Sequence, residues 1–374
     1  MNDYRLNQRL RVIVYTDSQG IGGAEISLGH LVAKVSDDID ITVMGTSQLV
    51  VDQIGLRRPQ AARVVVTSKH PQSFPAHYTA MYRLRADIIH FNLCTPWQGA
   101  TGLFAALLLP HVRVVRVDQL PLRTTDAIAL LRTRMLSLRV DAHVAVGKAS
   151  AQQIEDFYAL GRDTVIAIPN GVPDVTATPA PPKLSDEIVV GSVGRLDAMK
   201  AYDVLLQAVA KVQGIRVVIL GEGGQRQALE QLARELDVSD RITMPGWVEN
   251  PCAYLPNFDI FVLPSRSEGF PLAIVEAMLA ARPVIATRVG SVAEAVIDGE
   301  TGILIDCNDV TALAGALQRL RDDFGLRDRL GQRGREVAAN NFTVETMVDK
   351  YQNLWSKIVA HPKVPRWRVP RPRD

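Results

Sequence analysis

The sequence predicts an α/β chain of two doubly wound domains facing across a cleft. Three observations carry this. Short Val/Ile-rich runs recur between segments of helical period, as strands buried on both faces of a parallel sheet require. The alternation of strand and helix is that of a doubly wound fold. It also starts afresh after a proline-rich break at 169–182 (PNGVPDVTATPAPP).

In the first half, strands are expected at 12–15, 41–43, 63–66, 88–90, 112–117, 143–146 and 165–168. Helices are expected near 24–35, 98–108, 125–138 and 149–159. In the second half, strands are expected at 188–193, 217–220, 242–244, 260–263, 284–286 and 303–305. Helices follow near 202–212, 226–236, 271–281, 309–320 and 326–339. The domains are therefore placed at 1–175 and 176–343. Ligands of open α/β sheets bind outside the carboxyl ends of the strands, so the architecture points to a two-substrate enzyme or a hinged binding protein.

Composition narrows the class. The 374 residues carry 42 Lys and Arg against 40 Asp and Glu, too balanced for a dedicated nucleic-acid binder. Residues 360–374 hold five basic side chains and one acidic, a tail of +4; the remaining 37 basic and 39 acidic residues make the body −2. The longest apolar stretch, 103–109, is far short of the roughly 20 residues of a membrane span. The first residues lack a signal-peptide core. Three widely spaced cysteines indicate a reducing compartment without a disulfide framework. Neither the cysteines nor the histidines show metal-ligand spacing, so no metal site is expected.

The strongest chemical signal is SRSEGFPLAIVE at 265–276. A strand runs into a short loop holding Glu268, then into a helix from about Pro271 that carries Glu276. Backbone N–H groups of Gly269, Phe270 and Leu272 at the helix start make an anion site suited to phosphate. A carboxylate on either side suits the hydroxyls of a sugar nucleotide; an N-terminal-turn Glu plus a solvated helix Glu is the alternative. GSVGRLDAMK at 191–200 follows the first strand of the second half. There Gly194 allows a tight turn, and Arg195 and Lys200 could hold a diphosphate or be plain surface cations. GIGGAE at 20–25 and GEGG at 221–224 also follow strands. Neither completes G-x-G-x-x-G, so a nicotinamide fingerprint is absent and plain βα turns stay open. The D-x-D at 38–40 reads as a turn, and Glu294 as a ligand contact or a solvated residue.

Together these pieces resemble a retaining glycosyltransferase of the GT-B fold, of the family 4 (group 1) type. The resemblance also takes in PNGV at 169–172, PGWVEN at 245–250, RPVIATRVGSVAEAV at 282–296 and DGETGILI at 298–305. It implies two Rossmann-like domains, an acceptor-side first domain and a nucleotide-sugar second domain, with a last helix at 344–360 returning to the first. It implies transfer of a sugar from a UDP-, GDP- or ADP-linked donor to a saccharide or lipid-linked acceptor hydroxyl by a hexosyltransferase-type enzyme. No cofactor and no metal are implied. Arg195 and Lys200 resemble the donor-diphosphate pair, Glu268 the sugar-ring carboxylate and Glu276 the ribose carboxylate. The backbone at Phe270, Pro271 and Leu272 resembles the phosphate cradle, Trp247 and Val248 the base contacts, and Gly22 and Gly23 a first-domain loop closing on the donor. Gly194 and Gly221 belong to the same donor loops.

The sequence departs from the family where Asp118 stands in place of a frequent histidine; the first-domain polar contact to the sugar is then made by Asp118 or Gln119, or is lost, with His90 as a further candidate or a packed residue. Ala201, Ser291 and Ala281 replace glycines, and Ala281 would carry strain if held at positive φ. A catalytically silent GT-B protein and a nucleotide-sugar epimerase are the competing readings. The expected location is the cytoplasm. The basic tail at 361–374 is either a solubilising end or a weak contact to the anionic inner face of the membrane.

Overall fold

The computed structural model describes residues 9–69, 71–174 and 187–362. The chain divides into two compact units: residues up to Pro169 with those from Val344 onward, and Asn170–Thr343. The division falls ahead of the expected 175/176 because the next residues pair into the second unit. Asn170 Nδ2 donates to the Phe270 carbonyl at 3.3 Å, and Val172 N to the Phe342 carbonyl at 3.1 Å. Residues 175–186 and the tail from 363 lie outside the described residues.

The first unit runs β1 (Leu10–Thr16), α1 (Gly23–Lys34), β2 (Ile39–Gly45), α2 (Gln48–Gly55), β3 (Ala62–Val65), α3 (Ser73–Leu84), β4 (Ile88–Leu93), α4 (Ala100–Leu107), β5 (Arg113–Asp118), α5 (Ala127–Ser137), β6 (Ala142–Ala145), α6 (Lys148–Tyr158) and β7 (Val165–Ala167). Its parallel sheet is ordered β3-β2-β1-β4-β5-β6-β7. β4 is buried along its whole length, which is why its sequence is a continuous run rather than an alternating one.

The second unit runs β8 (Ile188–Val193), α7 (Tyr202–Val209), β9 (Ile215–Leu220), α8 (Arg226–Glu235), β10 (Ile242–Gly246), β11 (Ile260–Leu263), α9 (Leu272–Leu279), β12 (Val284–Thr287), α10 (Val292–Ala295), β13 (Gly302–Ile305), α11 (Val310–Asp322) and α12 (Phe324–Asn341). Its parallel sheet is ordered β10-β9-β8-β11-β12-β13. Both units thus share the same winding: the chain goes out one way from the first strand and returns to the other side of it. Each has a switch point beside that strand, between β1 and β4 and between β8 and β11.

The last helix, α13 (Val344–Ala360), belongs to the first unit. It buries Met347, Val348, Tyr351, Leu354 and Trp355 against Leu28, Leu31, Val115 and Val117. Trp355 is fully buried; a buried tryptophan of this kind contributes about 3–5 kcal/mol. His90 packs edge-on against Tyr351 and Trp355, with ring centroids 5.0 and 5.6 Å away. Burial pushes its imidazole down to about 3, so it is neutral: a packed core histidine.

Two helices escape the sequence pattern. α2 has only eight residues with Val50, Val51 and Ile54 inward, a density that fits a strand as well. α3 opens with Ser73-Phe74-Pro75, and Pro75 is tolerated because it sits in the first turn.

Of the three glycine replacements, Ser291 has φ −101° and is unstrained. Ala201 and Ala281 lie in the left-handed region at φ 52° and 55°. For Ala281→Gly we expect a gain of about 0.5–1 kcal/mol, the relieved left-handed penalty less the greater freedom of glycine in the unfolded chain. Urea unfolding would read it as a higher midpoint at unchanged slope, and a lower midpoint would refute the strain.

Candidate active site

The second unit's switch point gathers the strongest sequence signals. β8 delivers Gly194 and Arg195, a one-turn 3-10 segment Ala198–Lys200 ends on Lys200, and β11 delivers Ser265 and Glu268. Lys200 Nζ lies 2.5 Å from Glu268 Oε1. Ser265 Oγ donates to the same oxygen at 2.7 Å. Residues 68 positions apart are thus brought into one ion pair, and Glu268 is buried by it.

Two residues without a role in the sequence reading build this arrangement. Asp197 caps the 3-10 turn, its Oδ1 accepting from Met199 N at 3.1 Å and Lys200 N at 3.2 Å. It also pairs with the exposed Arg195 at 3.2 Å. Its signal was an Asp three residues before Lys200, an N-cap pattern. Arg266 ties the two loops together. Its backbone N donates to the Met199 carbonyl, and its guanidinium reaches the Ala198 carbonyl and, through both Nη atoms, Asp203.

The loops around the pair are stacked at distances only glycine allows. A Cβ on Gly221 would lie 2.0 Å from the Gly194 carbonyl oxygen, and one on Gly290 would lie 1.9 Å from the Glu268 carbonyl oxygen. Gly290 is also left-handed, at φ 50°, and Ser291 N donates to the Gly269 carbonyl at 2.8 Å. The loop before α10 therefore clamps the backbone at Glu268–Gly269, and the half-buried Glu294 lies within α10 itself.

α9 begins at Leu272, with Pro271 as its N-cap in an extended conformation, φ −73° and ψ 123°. Pro271 is thus one place outside the helix rather than its first residue, and the N-terminal N–H groups are those of Leu272 onward. Gly269 and Phe270 are buried just ahead of it. Glu276 keeps some solvent contact, yet burial pushes its carboxyl up to about 7, opposed by a hydrogen bond from the Cys252 thiol. Trp247 and Val248 follow β10; Trp247 is 73% exposed and Val248 half-buried.

In the first unit, Gly22 precedes α1, and its backbone N–H donates to Glu25 Oε2 at 3.0 Å. A Cβ at Gly23 would meet nothing within 4 Å, and one at Gly22 would make ordinary contact with Glu25. Neither glycine is demanded by the unit's own packing. Asp17, just after β1, accepts from Gly99 N at 2.6 Å and ties together the loops on either side of that unit's switch point.

Asp118 is fully buried at the end of β5 and held by Arg116 at 3.1 Å and His143 Nε2 at 2.7 Å. Arg116 itself also bonds Ser137 and the Pro96 carbonyl. Burial would raise the Asp118 carboxyl, but the neighbouring Arg116 and the His143 hydrogen bond bring it below its ordinary value. Its side chain is spent on this internal network. Gln119, beside it, donates to Asn92 Oδ1 at 2.7 Å. The D-x-D resolves into a turn: Asp38 meets Ser36, and Asp40 lies in β2. Among the described residues, no group of three His, Cys, Asp or Glu side chains is gathered as metal ligands would be. No described helix is long and apolar enough to cross a membrane.

The two doubly wound parallel units correspond to the GT-B fold, as the likeness to solved structures shows. Residues 176–337 match the family described as "Glycosyl transferases group 1". Among curated proteins, the chain is 33% identical over 207 residues to LpsE of Rhizobium meliloti, a lipopolysaccharide core biosynthesis glycosyltransferase, covering 55% of this chain and 58% of LpsE. It is 28% identical over 312 residues to a D-inositol 3-phosphate glycosyltransferase of Stackebrandtia nassauensis, covering 74% of this chain and 70% of the relative. The match thus spans little more than half of LpsE. Among solved structures, Anabaena HepE in complex with UDP has a TM-score of 0.82 at 19% identity, covering 93% of this chain and 100% of HepE. Sucrose-phosphate synthase of Thermosynechococcus elongatus has a TM-score of 0.81 at 20% identity, covering 94% and 100%. At such identities the likeness establishes the fold.

Proposed function

We propose that the protein is a retaining, metal-independent glycosyltransferase that moves a hexosyl group from a nucleotide sugar to an acceptor hydroxyl in glycan or glycolipid synthesis in the cytoplasm. The observation that carries it is the Lys200–Glu268 pair at the switch point of the unit matching the family, with the N-terminus of α9 and Glu276 on the loop and helix that follow Glu268. HepE is described with UDP and with UDP-glucose, which makes a UDP-sugar the first donor to try. LpsE is named for lipopolysaccharide core synthesis, which favours a saccharide or lipid-linked acceptor.

In this reading Lys200 and Arg195 grip the donor diphosphate, and the α9 backbone N–H groups take a phosphate oxygen. Glu268 orients the sugar ring, Glu276 accepts both ribose hydroxyls, and Trp247 and Val248 meet the base. Gly22 and Gly23 are assigned to the loop that approaches the donor. The sugar–phosphate bond breaks as the diphosphate leaves, and the fixed cations and helix dipole stabilise the negative charge that grows on it. The leaving phosphate oxygen accepts the proton of the incoming hydroxyl on the same face, so the configuration is retained.

The test is sugar transfer from UDP-glucose in EDTA. Turnover should persist, and a strict loss restored by magnesium would contradict the proposed role of the two cations. The silent-protein reading would show as donor binding without turnover.

Glu276 gives a second check. Its folded value of about 7 exceeds the ordinary 4.5, so between them the folded chain holds a proton that the unfolded chain has lost. That contribution to stability is full below the lower value and disappears as pH rises through the higher one. A ribose acceptor must be ionised, so UDP-glucose affinity should rise about thirtyfold between about pH 5.5 and about pH 8. In Glu276→Gln calorimetry should find a weaker and flat profile; a slope surviving that change would remove Glu276 from the ribose role.

A further inference from the structure

The outer face of α5 in the first unit carries an apolar stripe that no described residue covers. Ile128, Leu131, Met135 and Leu138 recur at intervals of three and four, and they are 79%, 61%, 46% and 52% exposed. The opposite face of the same helix is the one that packs inward, through Thr133, Leu136 and Ser137. The helix is therefore apolar where an ordinary surface helix is polar. A contiguous exposed patch of this kind marks an interaction surface, whereas scattered exposed apolar residues do not.

The charge around the stripe names the partner. Arg132 and Arg134 are exposed and, with Arg139, flank it on both sides, while residues 127–139 contain no acidic side chain. We propose that this face is an interfacial helix surface that docks on an anionic lipid bilayer, the apolar stripe entering the headgroup boundary and the arginines meeting lipid phosphates. A two-fold contact between copies of this chain would set the arginines of one helix against those of the other, which the same composition disfavours. The stripe starts next to the loop that leaves the carboxyl end of β5, the edge at which open α/β sheets present their ligands. Docking would hold that edge of the first unit close to the lipid surface. The proposal does not depend on the reaction assigned above.

Full-length protein should co-sediment with mixed phosphatidylglycerol–phosphatidylcholine vesicles, less with phosphatidylcholine alone, and less again in high salt. Leu131→Asp/Met135→Asp should lower the partition coefficient by about tenfold or more. Arg132→Ser/Arg134→Ser should lower it on the anionic vesicles only. All four positions are exposed, so an unchanged melting temperature would confirm intact folding. The basic tail is present in every protein compared, so its contribution cancels. Equal sedimentation of wild type and Leu131→Asp/Met135→Asp would overturn the proposal. So would absence of vesicle binding together with a dimer, or capture of an acidic protein, that the same two substitutions abolish.

Discussion

Lys200→Ala lowers sugar transfer by about 10²–10³-fold while the chain stays folded, because it removes a fixed donor aimed at the charge that develops on the leaving diphosphate. The geometry sets the two sides of this expectation. Lys200 Nζ stands 2.5 Å from Glu268 Oε1, with the two side chains 17% and 10% exposed. Losing the cation strands a mostly buried carboxylate that Ser265 alone then serves, at a cost of about 1–3 kcal/mol. Each unit has its own extended apolar core, so a loss of that size lowers the melting temperature without unfolding the protein. Glu268→Ala should lose transfer similarly, since Glu268 is the partner that fixes the lysine. UDP-glucose turnover by the purified variants is the readout, and wild-type turnover in either one would sink the site assignment.

Gly290→Ala should be more damaging to structure than any change of a charged residue at the site. The added methyl would stand 1.9 Å from the Glu268 carbonyl oxygen and 2.9 Å from that of Gly269, on a backbone already at φ 50°. All of the nearest atoms belong to the main chain, so relief requires the loop carrying Glu268 to move. We expect a loss of about 2–4 kcal/mol, combining overpacking and left-handed strain, and with it the loss of donor binding. Thermal melting with and without UDP-glucose separates the two effects, because a bound donor raises the melting temperature. A variant that melts like wild type and still shifts with donor would show that the clamp is dispensable.

The fold was legible because its strands are buried on both faces. Runs such as IVVGSV in β8 and IFVL in β11 admit few other readings when turn residues bound them. α2 and α3 were not legible, one for its short β-branched sequence and the other for its aromatic, proline-bearing start. Within the site, each motif stood out by itself, yet nothing in the sequence showed that Lys200 meets Glu268 or that Arg266 staples their loops; such pairings arise only when strands distant in sequence become neighbours. Asp118 illustrates the converse. The resemblance marks Asp118 because it stands in place of a frequent histidine, while its pairing with Arg116 two residues before it and His143 on the adjacent strand appears only in the fold. The Cys252–Glu276 hydrogen bond likewise joins the 3-10 segment Pro251–Asn257 to α9, 24 positions on, and only burial gives it meaning.

α13 ties the order of synthesis to the order of folding. The helix that completes the core under β1 and β5 is made after the whole second unit, and it brings Met347, Tyr351 and Trp355 to that core. The amino-terminal half leaves the ribosome with Leu28, Leu31 and Val115 open to water, and it must wait for some 170 intervening residues before it can close. The first unit therefore completes its core only after α13 has been made. A stop codon ahead of Trp355 would be felt first around β1 and β5, far earlier in the chain.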